Sequence, residues 1–142
     1  MILGQDKKLA YIAKVDTGAE SSSLHAQDIK VHWVAEKNKT IPYVSFRTLD
    51  EELKSHSFFK RVSKIDDVRN ANGINVRYYI KESVSFQNRV VDIDISLTDR
   101  SDLTFKFLLG KNALRSLELM VDPNKDVIVY VNKTPKYVYR GR

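Results

Sequence analysis

Ala13-Lys14-Val15-Asp16-Thr17-Gly18-Ala19-Glu20-Ser21-Ser22-Ser23-Leu24-His25-Ala26 is the stretch on which the reading of this chain turns. It closes a β-prone run, residues 9–15 (LAYIAKV), with an acidic residue followed at once by Thr and Gly. A strand ending in Asp-Thr-Gly puts a carboxylate on a tight turn with apolar packing behind it. Gly18 lets the backbone approach closely, and the Thr17 hydroxyl can tie the turn to a neighbour. Two such carboxylates brought together cannot both ionise near neutral pH. They share a proton, one acting as base toward a water and the other as acid toward a carbonyl. The same tripeptide also reads as an ordinary Asx-type turn. The small polar residues 20–23 suit a loop.

Outward from this turn the chain reads as mainly β. Further strand candidates are residues 30–34, 43–48, 58–62, 76–80, 90–97 and 127–131. Period-2 alternation is clearest in Val91-Asp92-Ile93-Asp94-Ile95-Ser96-Leu97, which offers one apolar and one polar face. Asn72-Gly73 supplies residues that tolerate positive φ and predicts a hairpin tip. Residues 111–119, opened by the break at Gly110 and rich in Leu, Ala and Arg, are the one helix candidate. Asp122-Pro123-Asn124 reads as a turn into the last strand. Trp33, between His32 and Val34, is expected in the core. Short strands, frequent turns and one late helix indicate a closed or sandwich-like β fold. No repeat, low-complexity tract or linker interrupts residues 1–142, so one domain is expected.

The chain has 142 residues, 42% of them hydrophobic and 30% charged, as in an ordinary globular domain. It has no cysteine, which excludes disulfides, Cys-based zinc sites and a thiol nucleophile. The net charge is +6, compatible with nucleic acid, an anionic membrane or an acidic substrate. The cations are dispersed, however, and only residues 133–142 are locally of one sign. No nucleic-acid-binding pattern accompanies them, so no nucleic-acid partner is expected. No segment is apolar for long enough to cross a bilayer, and no membrane partner is expected. The first residues lack a secretory stretch and run almost at once into a strand, as in a trimmed chain, so cytoplasm and periplasm both stay open.

Two segments together carry a family resemblance: Ala13 to Ala26, and Ser96 to Leu114 (SLTDRSDLTFKFLLGKNAL) followed by Val121-Asp122-Pro123. The chain resembles a bacterial family named as ATP-dependent zinc proteases, associated with RimK-type glutamate ligases and similar to retropepsins. The likeness covers about residues 13–123. It implies a closed β-barrel of the retropepsin, acid-protease type, with one short helix in the C-terminal half. It also implies that Asp16 is the catalytic aspartate, with Thr17 and Gly18 supporting it. Phe107-Leu108-Leu109-Gly110-Lys111 matches the apolar strand, Gly and basic residue that precede the retropepsin helix, a strand that would pack behind the catalytic turn. Lys111 stands where the family usually has Arg, which puts any bidentate contact there in doubt. Ala19, Asn72, Gly73, Arg77 and Arg100 are the candidate substrate-binding residues, with Asn72-Gly73 as the tip of a covering flap. For Asp99 and Arg100 a surface ion pair at a strand end is the competing reading.

The family name does not match the chemistry of the residues. His25, His32 and His56 are not spaced as ligands, and there is no His-Glu-x-x-His, so no metal site is expected. His25 lies in the first motif and reads as a hydrogen-bonded structural residue rather than a ligand. No Walker-type loop is present, and no ATP or other cofactor is expected. Ser21, Ser22 and Ser23 near His25 lack the Gly-x-Ser-x-Gly elbow of a serine hydrolase. One Asp-Thr-Gly gives one carboxylate where the aspartic mechanism needs two. A homodimer with Asp16 on its two-fold axis would supply the pair, and the substrate would be a peptide or protein, with acidic, glutamate-rich tails suggested by the ligase association. The competing reading is a non-catalytic domain that binds a peptide or protein on the same fold.

Overall fold

The computed structural model describes residues 1–4, 8–102, 104–122, 128–131 and 134–138. The strands are β1 (Ile2–Leu3), β2 (Leu9–Ala10), β3 (Ala13–Val15), β4 (Ser22–His25), β5 (Gln27–Glu36), β6 (Lys39–Leu49), β7 (Ser55–Asn70), β8 (Gly73–Phe86) and β9 (Arg89–Thr98). After them come β10 (Phe107–Leu109), the helix α1 (Lys111–Ser116), β11 (Ile128–Val131) and β12 (Thr134–Val138). The expectation of a mainly β chain with one short helix agrees with this. Pro123 and Asn124 of the expected turn lie outside the described residues, as does Val127 at the start of the last expected strand.

β5 to β9 form an antiparallel meander. Its hairpins turn on residues with positive φ: Lys37 and Asn38, Gln87 and Asn88, and Gly73 at +120°. Two consecutive positive φ values are what a tight hairpin demands. Asn70 pairs with Gly73, so the hairpin tip falls where Asn72-Gly73 predicted it. The Lys37-Asn38 and Gln87-Asn88 turns lack a glycine and escaped the sequence reading.

The remaining strands form the part that positions the site. The sheet runs in the order β3-β10-β4-β9-β8-β7-β6-β5, with β1 joined to β2 and β8. β10 lies between β3, parallel to it, and β4, antiparallel to it, while β4 runs parallel to β9. Among the described residues the ends of this order, β3 and β5, do not pair, so the expected closed barrel is corrected to an open, bent sheet. The bend is at β7. Its first half pairs with β6 and its second half with β8, with a register slip between Val62 and Lys64. An irregularity of this kind lets one strand pass between two layers. Beyond Tyr79, toward the turn at Gly73, no third strand pairs with the β7–β8 hairpin among the described residues, and it forms a two-stranded arm.

The core fills the inside of the bend: Leu24, Val44, Phe46, Ile80, Val84, Ile93, Ile95, Leu97, Phe107 and Leu109, with Ala113, Leu114 and Leu117 from α1. Ile93, Ile95 and Leu97 are the apolar face that the alternation in β9 predicts. Ser96, on the opposite face, is also buried, where its hydroxyl donates to the Ser22 carbonyl at 3.2 Å. Trp33 contradicts the expectation: it is 63% exposed. It faces Pro42 across the outer half of the β5–β6 hairpin, past Val44, the last buried residue of β6 in that direction. β5 is an edge strand there, and the core does not extend far enough to cover the indole. α1 is shorter than the expected 111–119 because Glu118 takes φ 54° and stops it.

Candidate active site

The Asp16 turn is built by three strands and the helix start. β3 delivers Asp16 beside the end of β10, and the Asp16 amide donates to the Leu109 carbonyl at 3.0 Å. The next turn closes on itself. The Gly18 amide donates to Asp16 Oδ1 at 2.9 Å, and the Ala19 amide to the Asp16 carbonyl at 3.3 Å. A Cβ on Gly18 would sit 3.3 Å from Asp16 Oδ1, so glycine keeps room for the carboxylate. Asp16 is half-buried and Thr17 is exposed. The outcome is a carboxylate with one oxygen aligned by a backbone amide at the rim of a packed β block.

Behind the turn lies a network that sequence reasoning missed. Asn112, in the first turn of α1, accepts through Oδ1 from the Ser22 amide at 3.0 Å and the Ser22 hydroxyl at 2.9 Å, and its amide nitrogen donates to the Asp94 carbonyl at 2.8 Å. The Ser22 hydroxyl also accepts from the Gly110 amide at 3.0 Å. The Lys111 amide donates to the Ala19 carbonyl and the Asn112 amide to the Glu20 carbonyl, at 2.8 and 3.0 Å. The loop after Asp16 is thereby clamped onto the start of the helix. Gly110 is required there for space: an added Cβ would lie 2.5 Å from the Ser21 backbone. The signal was present as Gly-Lys-Asn directly after an apolar strand, but nothing in one chain says that Asn112 reaches back to Ser22, 90 residues away.

Lys111, at the family's arginine position, pairs through Nζ with Glu20 Oε1 at 3.2 Å. Arg115 approaches the other Glu20 oxygen at 3.7 Å. Two cations from one helix thus share the carboxylate that a single guanidinium fork could hold. All three groups are solvent-exposed to a degree that keeps such pairs weak.

The expected substrate-binding residues divide. Ala19 belongs to the Asp16 turn. Arg100 is half-buried; its Nε donates to the Phe105 carbonyl at 3.1 Å. Burial pushes its guanidinium below the ordinary range, and the Asp16 carboxylate opposes that shift, so the two charges feel each other. Arg100 does not pair with Asp99, whose carboxylate is instead taken up by the Ser101 amide and hydroxyl at 2.9 and 2.5 Å. Asn72 and Gly73 sit at the tip of the two-stranded arm and Arg77 along it. Among the described residues no side-chain hydrogen bond or ion pair joins Arg77 to the Asp16 turn.

His25 is buried, 2% exposed. Its Nδ1 accepts the Arg100 amide at 2.8 Å and stands 3.6 Å from Asp99 Oδ1. Burial is the main cause holding its pKa below 6.5, with Asp99 acting in the opposite sense. Among the described residues no group of three His, Cys, Asp or Glu is arranged to hold a metal ion.

Comparison with known proteins agrees with this geometry. A family model described as RimB-like, retropepsin-like aspartic endopeptidase RimB, matches residues 2–131. Proteins named probable alpha-L-glutamate ligase from Shewanella halifaxensis and Shewanella pealeana are 32% and 30% identical to it over 117 residues, 80% of this chain. The chain spans only 24% of the length of those relatives. A crystal structure of a Legionella pneumophila protein of unknown function shares the fold with a TM-score of 0.68 and 28% identity, covering 86% of this chain and 88% of that one. Turn, clamp and family match converge: the chain belongs to the RimB-like family of retropepsin-like aspartic endopeptidases.

Proposed function

We propose that the domain is an aspartic peptidase in which Asp16 supplies half of a catalytic dyad and a second copy of the chain supplies the other half. The observation that carries this is the Asp16 turn itself, a half-buried carboxylate oriented by the Gly18 amide and anchored to β10. One chain offers one such carboxylate, and a two-fold dimer would place two of them together. The pair, sharing one proton, would activate a water for attack on the peptide carbonyl. A proton would pass from the dyad to the departing amine nitrogen as the C–N bond breaks, and the proton taken from water restores the dyad. Ala19 and Arg100 would meet the substrate, and Asn72, Gly73 and Arg77 would cover it from the arm. Relatives named for glutamate ligation and the +6 charge support acidic, glutamate-rich peptide tails as the substrate.

The test is hydrolysis of acidic and neutral peptides by the wild-type protein and by Asp16→Asn, which keeps the size of the side chain and removes the base. Cleavage should fall by on the order of a thousandfold or more while the fold survives. Asp16→Asn with full activity would exclude the dyad. Peptide binding without cleavage in both proteins would favour a non-catalytic binding domain.

A further inference from the structure

We propose that His25 is a positioning residue for Arg100: its neutral imidazole accepts the Arg100 amide at Nδ1 and so fixes the strand-end turn that carries the guanidinium into electrostatic range of Asp16. The proposal deepens the reading of Asp16 as catalytic, and its consequence for turnover rests on that reading, whereas the positioning itself does not.

The geometry is unusually complete for one side chain. β4 and β9 run parallel, with His25 opposite Thr98, so the chain leaving β9 passes directly over the imidazole. The ring takes the Arg100 amide at 2.8 Å. The His25 backbone amide donates to the Lys106 carbonyl at 2.7 Å, and its carbonyl accepts the Thr48 hydroxyl at 2.5 Å. Both ends of the connection from β9 to β10 are therefore tied to this one residue. Within the connection, Arg100 Nε reaches the Phe105 carbonyl at 3.1 Å, which sets the direction of the side chain once its amide is pinned.

A backbone N–H can be accepted at Nδ1 only while that nitrogen carries no proton, so the working tautomer has its hydrogen on Nε2. Protonation turns Nδ1 into a donor facing a donor, and the latch opens. The charged groups acting on the ring are Asp99, which favours protonation, and Lys106 and Arg100, which oppose it. Thr48 and Thr98, its neighbours on β6 and β9, carry no charge. Burial, the largest cause, holds the ring's pKa below its ordinary value and so favours the neutral form that the latch needs. A merely satisfied core histidine would show the same burial but would not couple its ionisation to one distant amide.

Amide hydrogen exchange of the full chain, followed by NMR at Arg100, separates the two. In the wild type the Arg100 protection factor should stay constant at neutral pH and drop about tenfold as pH falls through the His25 titration. His25→Asn offers a carbonyl oxygen near the Nδ1 position and should hold the amide protected with no such step. His25→Leu should lose about the same tenfold at every pH. An Arg100 amide equally protected in His25→Leu, or a wild-type profile without the step, would overturn the proposal. If His25→Leu fails to fold, the wild type and His25→Asn decide the matter alone. Failure of the Asp16 reading would appear separately, as absent peptide cleavage alongside the expected exchange pattern.

Discussion

The block made of β3, β10, β4, β9 and α1 and the pair of hairpins β5–β6 and β7–β8 are built on opposite principles. In the block, β10 and β4 have three and four residues and are buried throughout, β3 is only partly buried, and side chains cross-link elements far apart in sequence. In the hairpins, strands of 10 to 16 residues pair mainly with their sequence neighbours and leave Trp33, Phe59, Ile65, Ile74 and Val76 exposed. Short strands have few ladder bonds of their own and hold their place through side-chain hydrogen bonds and close packing. Long hairpins are held by their ladders and tolerate an open surface. A carboxylate that must keep its orientation belongs on the first kind of structure. An open surface without dense packing of its own, such as the arm proposed to cover a substrate, belongs on the second.

That contrast can be broken at chosen positions. The largest effect is expected at Gly110→Ala. The new Cβ would meet the Ser21 backbone at 2.5 Å, and neither strand nor helix can yield. Denaturant unfolding should show a loss on the order of 3–5 kcal/mol, or no folded protein at all. A loss below about 1 kcal/mol would mean that the clamp is not tight.

Asn112→Ala comes next. It removes the acceptor shared by the Ser22 amide and hydroxyl and leaves buried donors without a partner. A loss of about 1–3 kcal/mol is expected, with Asp16-dependent activity reduced because the loop after Asp16 loses its anchor. Trp33→Ser should give the smallest effect, within about 0.5 kcal/mol, since the indole is already 63% exposed. A loss above about 2 kcal/mol would show that the hairpin surface is covered in solution.

How far the sequence was legible follows the same division. The middles of the long strands, the Asn72-Gly73 tip and the Asp16 turn depend on local preferences, on alternation and on residues that accept positive φ, and these could be read directly. Ser22 and Ser23, expected in a loop for their small polar side chains, instead begin the buried strand β4, where Asn112 and the Gly110 amide satisfy the Ser22 hydroxyl. What escaped depends on distance along the chain. The clamp from Asn112 to Ser22 spans 90 residues, and the latch from His25 to Arg100 spans 75; neither leaves a periodicity. Trp33 was misplaced because an aromatic residue in a β-prone run carries no mark of whether its strand lies at an edge. The closed barrel was expected wrongly because the turning point is a register slip inside β7, and a long alternating strand looks the same before and after such a slip. An ion pair between Asp99 and Arg100 was the competing reading to a substrate contact, yet two donors from Ser101 take the Asp99 carboxylate.

The central claim is that Asp16 works only as one of two. Mixed dimers joining one wild-type chain to one Asp16→Asn chain test it most directly, with peptide cleavage measured against the wild-type and doubly substituted dimers. A lone carboxylate cannot serve as both base and acid, so the mixed dimer should be nearly as inactive as the doubly substituted one. Half or more of the wild-type rate in the mixed dimer, or an active enzyme that remains monomeric at assay concentration, would contradict the account.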